Sequence, residues 1–252
     1  MGQALTARRG DQGVQCRPPV GEAQLDQAVN ERTRELRALL DQRNMLLREL
    51  NHRVKNELQA VCGLLSLQAA TVADPQTLGV LRDSVNRIRS IALVHERLSA
   101  SPAASRLEMP IYVQGLCQQL MALYGAGGRV ELKLDVEEMA FDIETATPCG
   151  MILSELISNA LKYAFPATGH GSLWIRLYCQ PVDRQMVLEV RDDGVGIPET
   201  LDVEAPRTLG LKLLHMLVEQ LGGVLTVQRT SGTSVRITFP ARTDVCACAG
   251  SA

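Results

Sequence analysis

Aromatic residues are scarce in this chain of 252 residues: Phe, Trp and Tyr make up 3% of it, so its core must be mainly aliphatic. No run of about 18 apolar residues exists, and we therefore expect no membrane-spanning helix. The first 20 residues contain no apolar stretch, so we expect no secretory signal. Basic and acidic residues nearly balance, and the net charge of −2 gives no reason to expect a nucleic-acid partner.

Cysteine pairs at repeated short spacings are also missing. The seven cysteines are scattered along the chain, which argues against a disulfide framework and suits a reducing compartment. We therefore expect a cytoplasmic location. Cys246 and Cys248 stand in a tail of small residues and are predicted to be free thiols.

The remaining composition is typical of a globular protein, with 46% apolar and 21% charged residues, and the length suits one or two compact domains. The pattern of residues changes several times along the chain. The predicted segments are a disordered start (1–21), an N-terminal helix (22–42), a helical hairpin (43–100), a linker (101–106), a mixed α/β domain (107–240) and a disordered tail (241–252).

Two long helices are predicted before residue 100. Neither Pro nor Gly interrupts residues 22–62, and Asp74-Pro75 predicts a turn that caps and begins a second helix. A hairpin of this kind cannot bury its apolar stripe alone, so we expect two copies to form a four-helix bundle in a dimer. The predicted seam of the first helix consists of Leu47, Leu50, Val54, Leu58, Val61 and Leu65.

After residue 106 the pattern changes to mixed helices and strands. Helices are predicted at 111–124, 144–164 and 208–221. Strands are predicted at 107–109, 130–136, 173–179, 186–191, 224–228 and 234–239, the third and fourth as a hairpin.

One histidine of the first helix lies off its apolar seam. At 100° per residue the seam spans about 80°, whereas His52 lies about 155° from its centre, on the outer face with Asn56 and Gln59. This placement argues against a core histidine and leaves two readings, a solvated surface residue or a functional one. A neutral imidazole is a competent nucleophile if another part of the chain brings a phosphoryl donor to it.

The helix predicted at 144–164 carries polar residues on one face. Glu155, Asn159 and Lys162 or Tyr163 follow at helical spacings, opposite an apolar face. The amide oxygen of Asn159 can ligate Mg²⁺ beside phosphate oxygens, and a lysine one turn later can meet phosphate. Taken alone, an ordinary surface helix explains this pattern equally well.

Glycine-containing segments follow this helix. Asp192 ends a predicted strand and precedes Gly194 and Gly196, which combines a fixed carboxylate with a backbone that a flat ligand can approach. Downstream, Leu209-Gly210-Leu211 opens a helix whose N–H groups favour an anion, and Gly232-Thr233 precedes the last strand. Each signal is weak alone, but their order and spacing together are specific.

With these motifs, residues 144–240 resemble the Bergerat-type ATP-binding domain that histidine kinases share with gyrase-type ATPases and Hsp90-like proteins. The resemblance implies that ATP and Mg²⁺ bind here, with a short lid near 199–207. For the helix 144–164 it implies the acidic N-box position for Glu155, Mg²⁺ binding for Asn159, phosphate contact for Lys162 and adenine packing for Tyr163. Asp192, beside Gly194 and Gly196, is implied to recognise adenine. Gly210 and Gly232-Thr233 are implied to occupy glycine-box positions.

Residues 43–99 resemble the second HisKA-type phosphoacceptor family, close to the HWE kinases. The resemblance lies in the segment ELNHRVKN, which contains His52 and Asn56, and in the later segment LVHERL. Members often have two adjacent histidines; here the first is Asn51, which leaves His52 as the acceptor. His95 is interpreted as a packing residue of the bundle.

Together the resemblances imply an α+β protein with a dimerising helical hairpin followed by an α/β sandwich. They imply a histidine protein kinase that phosphorylates His52 from Mg-ATP, assisted by Asn56 and Glu155, and transfers the group to an aspartate of a response regulator. Two alternatives remain open. A phosphotransfer adaptor without ATP turnover would have a damaged N box and lost glycines, and a serine kinase of the anti-sigma type would not need the His52 hairpin.

Overall fold

The computed structural model describes residues 20–100, 106–165, 169–198 and 208–241. The predicted lid, most of the predicted linker and disordered start, and the tail with Cys246 and Cys248 lie outside these residues. The chain divides into two compact units, Met1–Arg43 and Asn44–Ala252.

The described residues of the first unit form the beginning of helix α1, which spans Val20–Thr71. Nearly every side chain here is exposed, including the apolar Leu25 and Leu36. Contacts are local, such as the 2.7 Å ion pair between Arg32 and Glu35, one turn apart. This stretch therefore has no apolar core of its own within the first unit.

In the second unit, α1 continues to Thr71 and helix α2 spans Pro75–Ala100. The predicted turn between them is confirmed, because the carboxylate of Asp74 accepts a 2.8 Å hydrogen bond from the backbone N–H of Thr77. Such a cap satisfies one of the free donors of the first helical turn.

The two helices run antiparallel. Asn51 contacts His95, and the thiol of Cys62 donates to the carbonyl oxygen of Val85, so the partner on α2 moves toward its start as α1 proceeds. This order confirms the predicted hairpin.

The predicted seam of α1 does not lie entirely against α2. Leu50 and Val61 are 58% and 42% exposed, whereas Asn51 and Cys62 are buried. The face toward α2 is therefore rotated from the predicted seam, and it buries the amide of Asn51.

The α/β part contains the predicted strands and helices, with one addition. The short strand β3 pairs with β1, and it was not predicted because two residues cannot show an alternating pattern. The elements are β1 (Leu107–Glu108), α3 (Met109–Leu123), β2 (Val130–Val136), β3 (Ala140–Phe141), α4 (Ile143–Asn159), β4 (Gly171–Gln180), β5 (Gln185–Asp192), α5 (Leu209–Gln220), β6 (Val224–Thr230) and β7 (Gly232–Pro240).

Five of these strands form one mixed sheet in the order β2-β4-β5-β7-β6. The β2–β4 pair is parallel and the other neighbours are antiparallel, so the predicted hairpin of β4 and β5 is confirmed. The alternating buried positions of β4, such as Leu173, Ile175 and Leu177, face the helices. This is the predicted layered arrangement of helices on a sheet.

One aliphatic core joins the hairpin to the α/β part. Val94 and Leu98 of α2 are buried in the same cluster as Ile152 of α4 and Ile237 of β7. Most of the contacts of α2 with the α/β part go to α4. The hairpin therefore forms one side of the α/β core within the second unit.

Helix α4 ends differently from the prediction. Asp142 caps its start by accepting from Thr145 N–H at 2.8 Å, but residues Ala160–Ala164 form a π-helical turn where an α-helix was predicted. A π turn widens the helix by one residue, and such turns often occur at functional sites.

Cys62, Cys117 and Cys149 are free and buried, as the scattered spacing predicted. None of the helices in the described part of the chain is both long and apolar enough to cross a membrane.

Candidate functional site

A cavity of about 710 Å³ opens between α4, the π turn, the start of α5 and the sheet. It is lined by residues that belong to the predicted sequence motifs and by three residues of α2. The predicted site residues in its lining are Glu155, Asn159, Tyr163, Asp192, Gly196, Leu209, Gly210, Leu211 and Thr233, and the α2 residues are Val80, Asp83 and Arg87.

Asp192 lies at the end of β5 and is 5% exposed. Its Oδ1 accepts hydrogen bonds from the backbone N–H groups of Gly194, at 3.0 Å, and Thr233, at 3.3 Å. Burial raises the pKa of this carboxyl above its ordinary value, although these hydrogen bonds act in the opposite direction. The carboxyl is thus held rigidly at one end of the cavity, as an acceptor for a ligand must be.

Gly194 does not line the cavity but positions its wall. A side-chain carbon at this residue would overlap the carbonyl oxygen of Ala164, the last residue of the π turn. The next residue, Val195, donates its N–H to the same carbonyl at 2.9 Å. The glycine therefore permits the segment after β5 to pack against the π turn.

The polar residues predicted to share a face of α4 do so in the structure, except for Lys162: Glu155, Asn159 and Tyr163 all line the cavity. Of these, Tyr163 is 70% exposed. Lys162 is not part of the lining, because its ammonium group donates to the carboxylate of Asp83 on α2. Although burial lowers the pKa of Lys162, the bond to Asp83 and neighbouring charges raise it above its ordinary value overall.

Glu155 is buried, and its partner is an arginine of the hairpin. Its Oε2 accepts from Nε of Arg87 at 2.9 Å, and Nη2 of the same guanidinium lies 2.9 Å from this oxygen as an ion pair. Only 7% of the Glu155 side chain and 14% of the Arg87 side chain are exposed. Sequence reasoning missed Arg87 and Asp83 as site residues, because 68 residues separate Arg87 from Glu155 and no local pattern relates them.

The start of α5 forms another wall. Thr208 caps the helix by accepting from Leu211 N–H, and Leu209, Gly210 and Leu211 all line the cavity. The unpaired N–H groups of a first helical turn favour an anion. Thr233 of β7 completes this part of the lining beside Asp192.

His52 is exposed on α1, as its angle to the apolar seam predicted. The amide nitrogen of Asn56, one turn later, lies 3.3 Å from Nδ1 of the imidazole. Two ion pairs surround the site: Arg53 with Glu49 on the same helix, and Lys55 with a residue of α2. His52 is therefore an accessible imidazole whose orientation is fixed by a neighbouring amide.

His95 has the packing role that was predicted for it. It is half-buried in the hairpin, and its Nδ1 lies 2.9 Å from Oδ1 of Asn51. Burial lowers the pKa of His95 below its ordinary value. The neutral ring thus packs between the helices, while the ring of His52 faces solvent.

Among the described residues, no cluster of three or more His, Cys, Asp or Glu side chains forms a metal site. Asn159, whose side chain carries an amide oxygen, does line the cavity. Because Mg²⁺ keeps several waters and takes phosphate oxygens as ligands, one protein oxygen beside a bound polyphosphate fits it.

Comparison with known families supports two functional regions. Residues 49–124 match the model of a histidine kinase family, and residues 144–243 match the model of the histidine kinase-, DNA gyrase B- and HSP90-like ATPases. The first match contains the α1–α2 hairpin around His52, and the second contains nearly all of the cavity lining.

Individual relatives agree with these matches. The sensor histidine kinase PdtaS of Mycobacterium tuberculosis is 33% identical over 88% of this chain, and blue-light-activated histidine kinase 2 of Erythrobacter litoralis is 30% identical over 91%. This chain spans 44% of the first relative's length and 65% of the second's.

A solved structure shows the same fold. The histidine kinase domain of the Erythrobacter litoralis EL346 blue-light-activated histidine kinase is 25% identical to this chain, with a TM-score of 0.59. The alignment covers 79% of this chain and 94% of that one. With a hairpin that carries an exposed histidine, a cavity built from the predicted motifs, and matches to both family models, this chain belongs to the histidine kinases.

Proposed function

We propose that this chain is an ATP-dependent protein-histidine kinase that phosphorylates its own His52 and transfers the phosphoryl group to an aspartate of a response regulator. One observation carries the proposal: an exposed imidazole and a cavity with the motifs of an ATP-binding site lie in the same compact unit. The acceptor and the donor site are thus present in one polypeptide.

In the proposed reaction the Nε2 lone pair of His52 forms a bond to the terminal phosphorus of ATP. The bond from that phosphorus to the bridging oxygen breaks, and ADP leaves with the electron pair. An aspartate carboxylate oxygen of the response regulator then takes the phosphoryl group as the N–P bond breaks. Positioning and charge neutralisation dominate such transfers.

Asn56 is suited to select the reactive form of the imidazole. When its NH₂ donates to Nδ1, the ring proton of a neutral imidazole lies on Nε2. Rotation of the amide by half a turn presents its oxygen instead, which accepts from Nδ1–H and leaves the Nε2 lone pair free. We therefore assign Asn56 to positioning the histidine tautomer.

Four features of the cavity suit the parts of ATP. The Asp192 carboxyl is suited to accept from the adenine amino group, and Tyr163, which also lines the cavity, offers a ring on which adenine can pack. The first turn of α5 offers N–H groups to the phosphates. Mg²⁺ would be held by Asn159 and phosphate oxygens, and when bound it supplies positive charge for the transferred group.

The reaction also requires a change in arrangement. Asn51, next to His52, faces His95, whereas Arg87 at the cavity lies eight residues earlier on α2, about 12 Å along the helix. The nucleotide must therefore shift along the hairpin before transfer, or reach the histidine of a second copy.

A labelling experiment tests the proposal. The full chain incubated with Mg²⁺ and γ-labelled ATP is expected to acquire acid-labile label, because phosphohistidine hydrolyses in acid whereas phosphoserine does not. His52→Ala should abolish this label while ATP binding stays unchanged. His170→Ala, at an exposed histidine outside the hairpin, is the matched control and should label normally.

The same experiment separates the alternatives. Acid-stable label that survives His52→Ala would indicate a serine kinase. A chain that accepts phosphate from another phosphoprotein but takes no label from ATP would be an adaptor. Either result would contradict the proposed kinase activity.

A further inference from the structure

Helix α2 of the phosphoacceptor hairpin contributes charged residues to the cavity proposed to bind ATP. Asp83 and Arg87 are four residues apart on one face of α2, and both line the cavity. Asp83 accepts from Lys162, and Arg87 donates to Glu155. The hairpin thus supplies part of the wall of the nucleotide site, in addition to the acceptor histidine.

Arg87 is held in place with donors to spare. Its Nε and Nη2 both bind one oxygen of Glu155, and its side chain is 14% exposed. A guanidinium carries five N–H donors. Nη1 has no hydrogen-bond partner in the part of the chain that the structure describes, and no fully buried nitrogen there is left unsatisfied, so Nη1 is at least partly accessible.

The guanidinium lies at the phosphate end of the cavity. Nη2 of Arg87 is 3.5 Å from the position that a side-chain carbon of Gly210 would occupy, in the first turn of α5. That turn is the part of the lining that favours anions. Asp192, the proposed adenine acceptor, belongs instead to the end of β5.

The hairpin side of the cavity is where the terminal phosphoryl group must lie. Under the proposed function adenine binds at Asp192, and the phosphate farthest from adenine must be delivered to the hairpin that carries His52. Lys162 is engaged by Asp83 and does not line the cavity, whereas Arg87 lines it and has unused donors. An arginine can bind a carboxylate and a phosphate at once because its donors form a planar fork.

We propose that Arg87 binds the terminal phosphoryl group of ATP and that Glu155 positions its guanidinium for this contact. The inference rests on the proposed function, since it requires ATP in this cavity. Arg87 then distinguishes ATP from ADP, which lacks that group. The hairpin itself thus contributes a specificity-determining residue to the nucleotide site.

Nucleotide binding to the full chain in the presence of Mg²⁺ tests this role. Arg87→Gln is expected to weaken ATP binding about tenfold or more, because a charge-assisted hydrogen bond is lost. Binding of ADP should change by no more than about twofold. Arg82→Gln removes an exposed arginine of the same helix and should change neither affinity.

A double variant excludes an indirect effect. Arg87→Gln leaves the buried Glu155 carboxylate unpaired, and this charge alone would repel a polyphosphate. In Arg87→Gln/Glu155→Gln that charge is gone. This double variant should still lack the preference for ATP over ADP that the unmodified chain shows. Thermal unfolding of each variant shows that the fold is intact.

Three results would overturn the inference. They are equal losses of ATP and ADP affinity in Arg87→Gln, no loss of either, and recovery of the preference for ATP in the double variant. In all three the unmodified chain still binds ATP, so the proposed function stands. An unmodified chain that binds neither nucleotide would instead refute both.

Discussion

At the scale of single residues, the least ordinary group of the cavity is the carboxyl of Asp192. It is buried, yet Oδ1 accepts from two backbone N–H groups, those of Gly194 and Thr233. Burial disfavours the charged form and raises the pKa, so folding favours the protonated acid. The stability that this carboxyl contributes is therefore fully present below its pKa in the unfolded chain. It is lost as the pH rises through the pKa of the carboxyl in the folded chain.

We predict that Asp192→Asn abolishes nucleotide binding without lowering the free energy of unfolding at pH 7. The asparagine oxygen must face the two backbone N–H groups, which turns the NH₂ donor toward the cavity, against the adenine amino group. Removing a carboxyl with a raised pKa also removes the pH-dependent loss of stability described above. Denaturant unfolding and ATP titration over a range of pH measure both effects.

The result has a clear contrary outcome. If Asp192→Asn binds ATP as the unmodified chain does, Asp192 does not receive the adenine amino group. If the variant instead unfolds at much lower denaturant at neutral pH, the charged form is favoured by the fold, and the direction of the pKa shift is wrong.

At the scale of elements, α2 is covered on two sides and α1 is not. One side of α2 meets α1, and another packs against α4. In the second unit, α1 leaves large apolar side chains exposed on the side away from α2. Leu46, Leu50 and Leu64 are each 58–64% exposed and lie within about 40° of one another around the helix. We propose that a second copy covers this apolar stripe in a four-helix bundle.

We predict that Leu50→Glu combined with Leu64→Glu converts a dimer of the chain into a monomer, because two charges would then have to be buried at the interface. Light scattering at a fixed concentration measures the mass. Gln59→Glu adds charge on the His52 face of the same helix and should leave the mass unchanged. An unmodified chain that is already monomeric would show that the stripe is not a dimer interface.

At the scale of the whole molecule, the hairpin is not an independent module in the described part of the chain. Leu98 of α2 is 1% exposed and belongs to the same core as the sheet and α4. Residues from Asn44 onward form one compact unit. The hairpin and the α/β part should therefore unfold together.

We predict that Leu98→Ala lowers the free energy of unfolding by about 2–5 kcal/mol, through lost burial and a residual cavity. Far-UV circular dichroism reports on the helices, and the fluorescence of Trp174, the single tryptophan, reports on β4 of the sheet. Both transitions should move together. Leu123→Ala, at a leucine 48% exposed, should have a much smaller effect. Separate transitions for the two probes would contradict a shared core.

The sequence predicted most of this architecture because the signals for helices and strands are local. Asp74 precedes α2 and caps it, and β4 alternates between buried and more exposed positions as a strand must. The predictions failed where neighbours in space decide the conformation. Residues Ala160–Ala164 form a π turn rather than an α-helix, and the carbonyl of Ala164 meets the segment after β5.

For the candidate site, the sequence by itself determined which residues could carry the chemistry, since the motifs around His52, Asn159 and Asp192 are short and contiguous. Only the tertiary structure decided how they are used. It paired Glu155 with Arg87 and Lys162 with Asp83. Ion pairs between distant segments depend on how helices pack, and residue spacing along the chain carries no record of that packing.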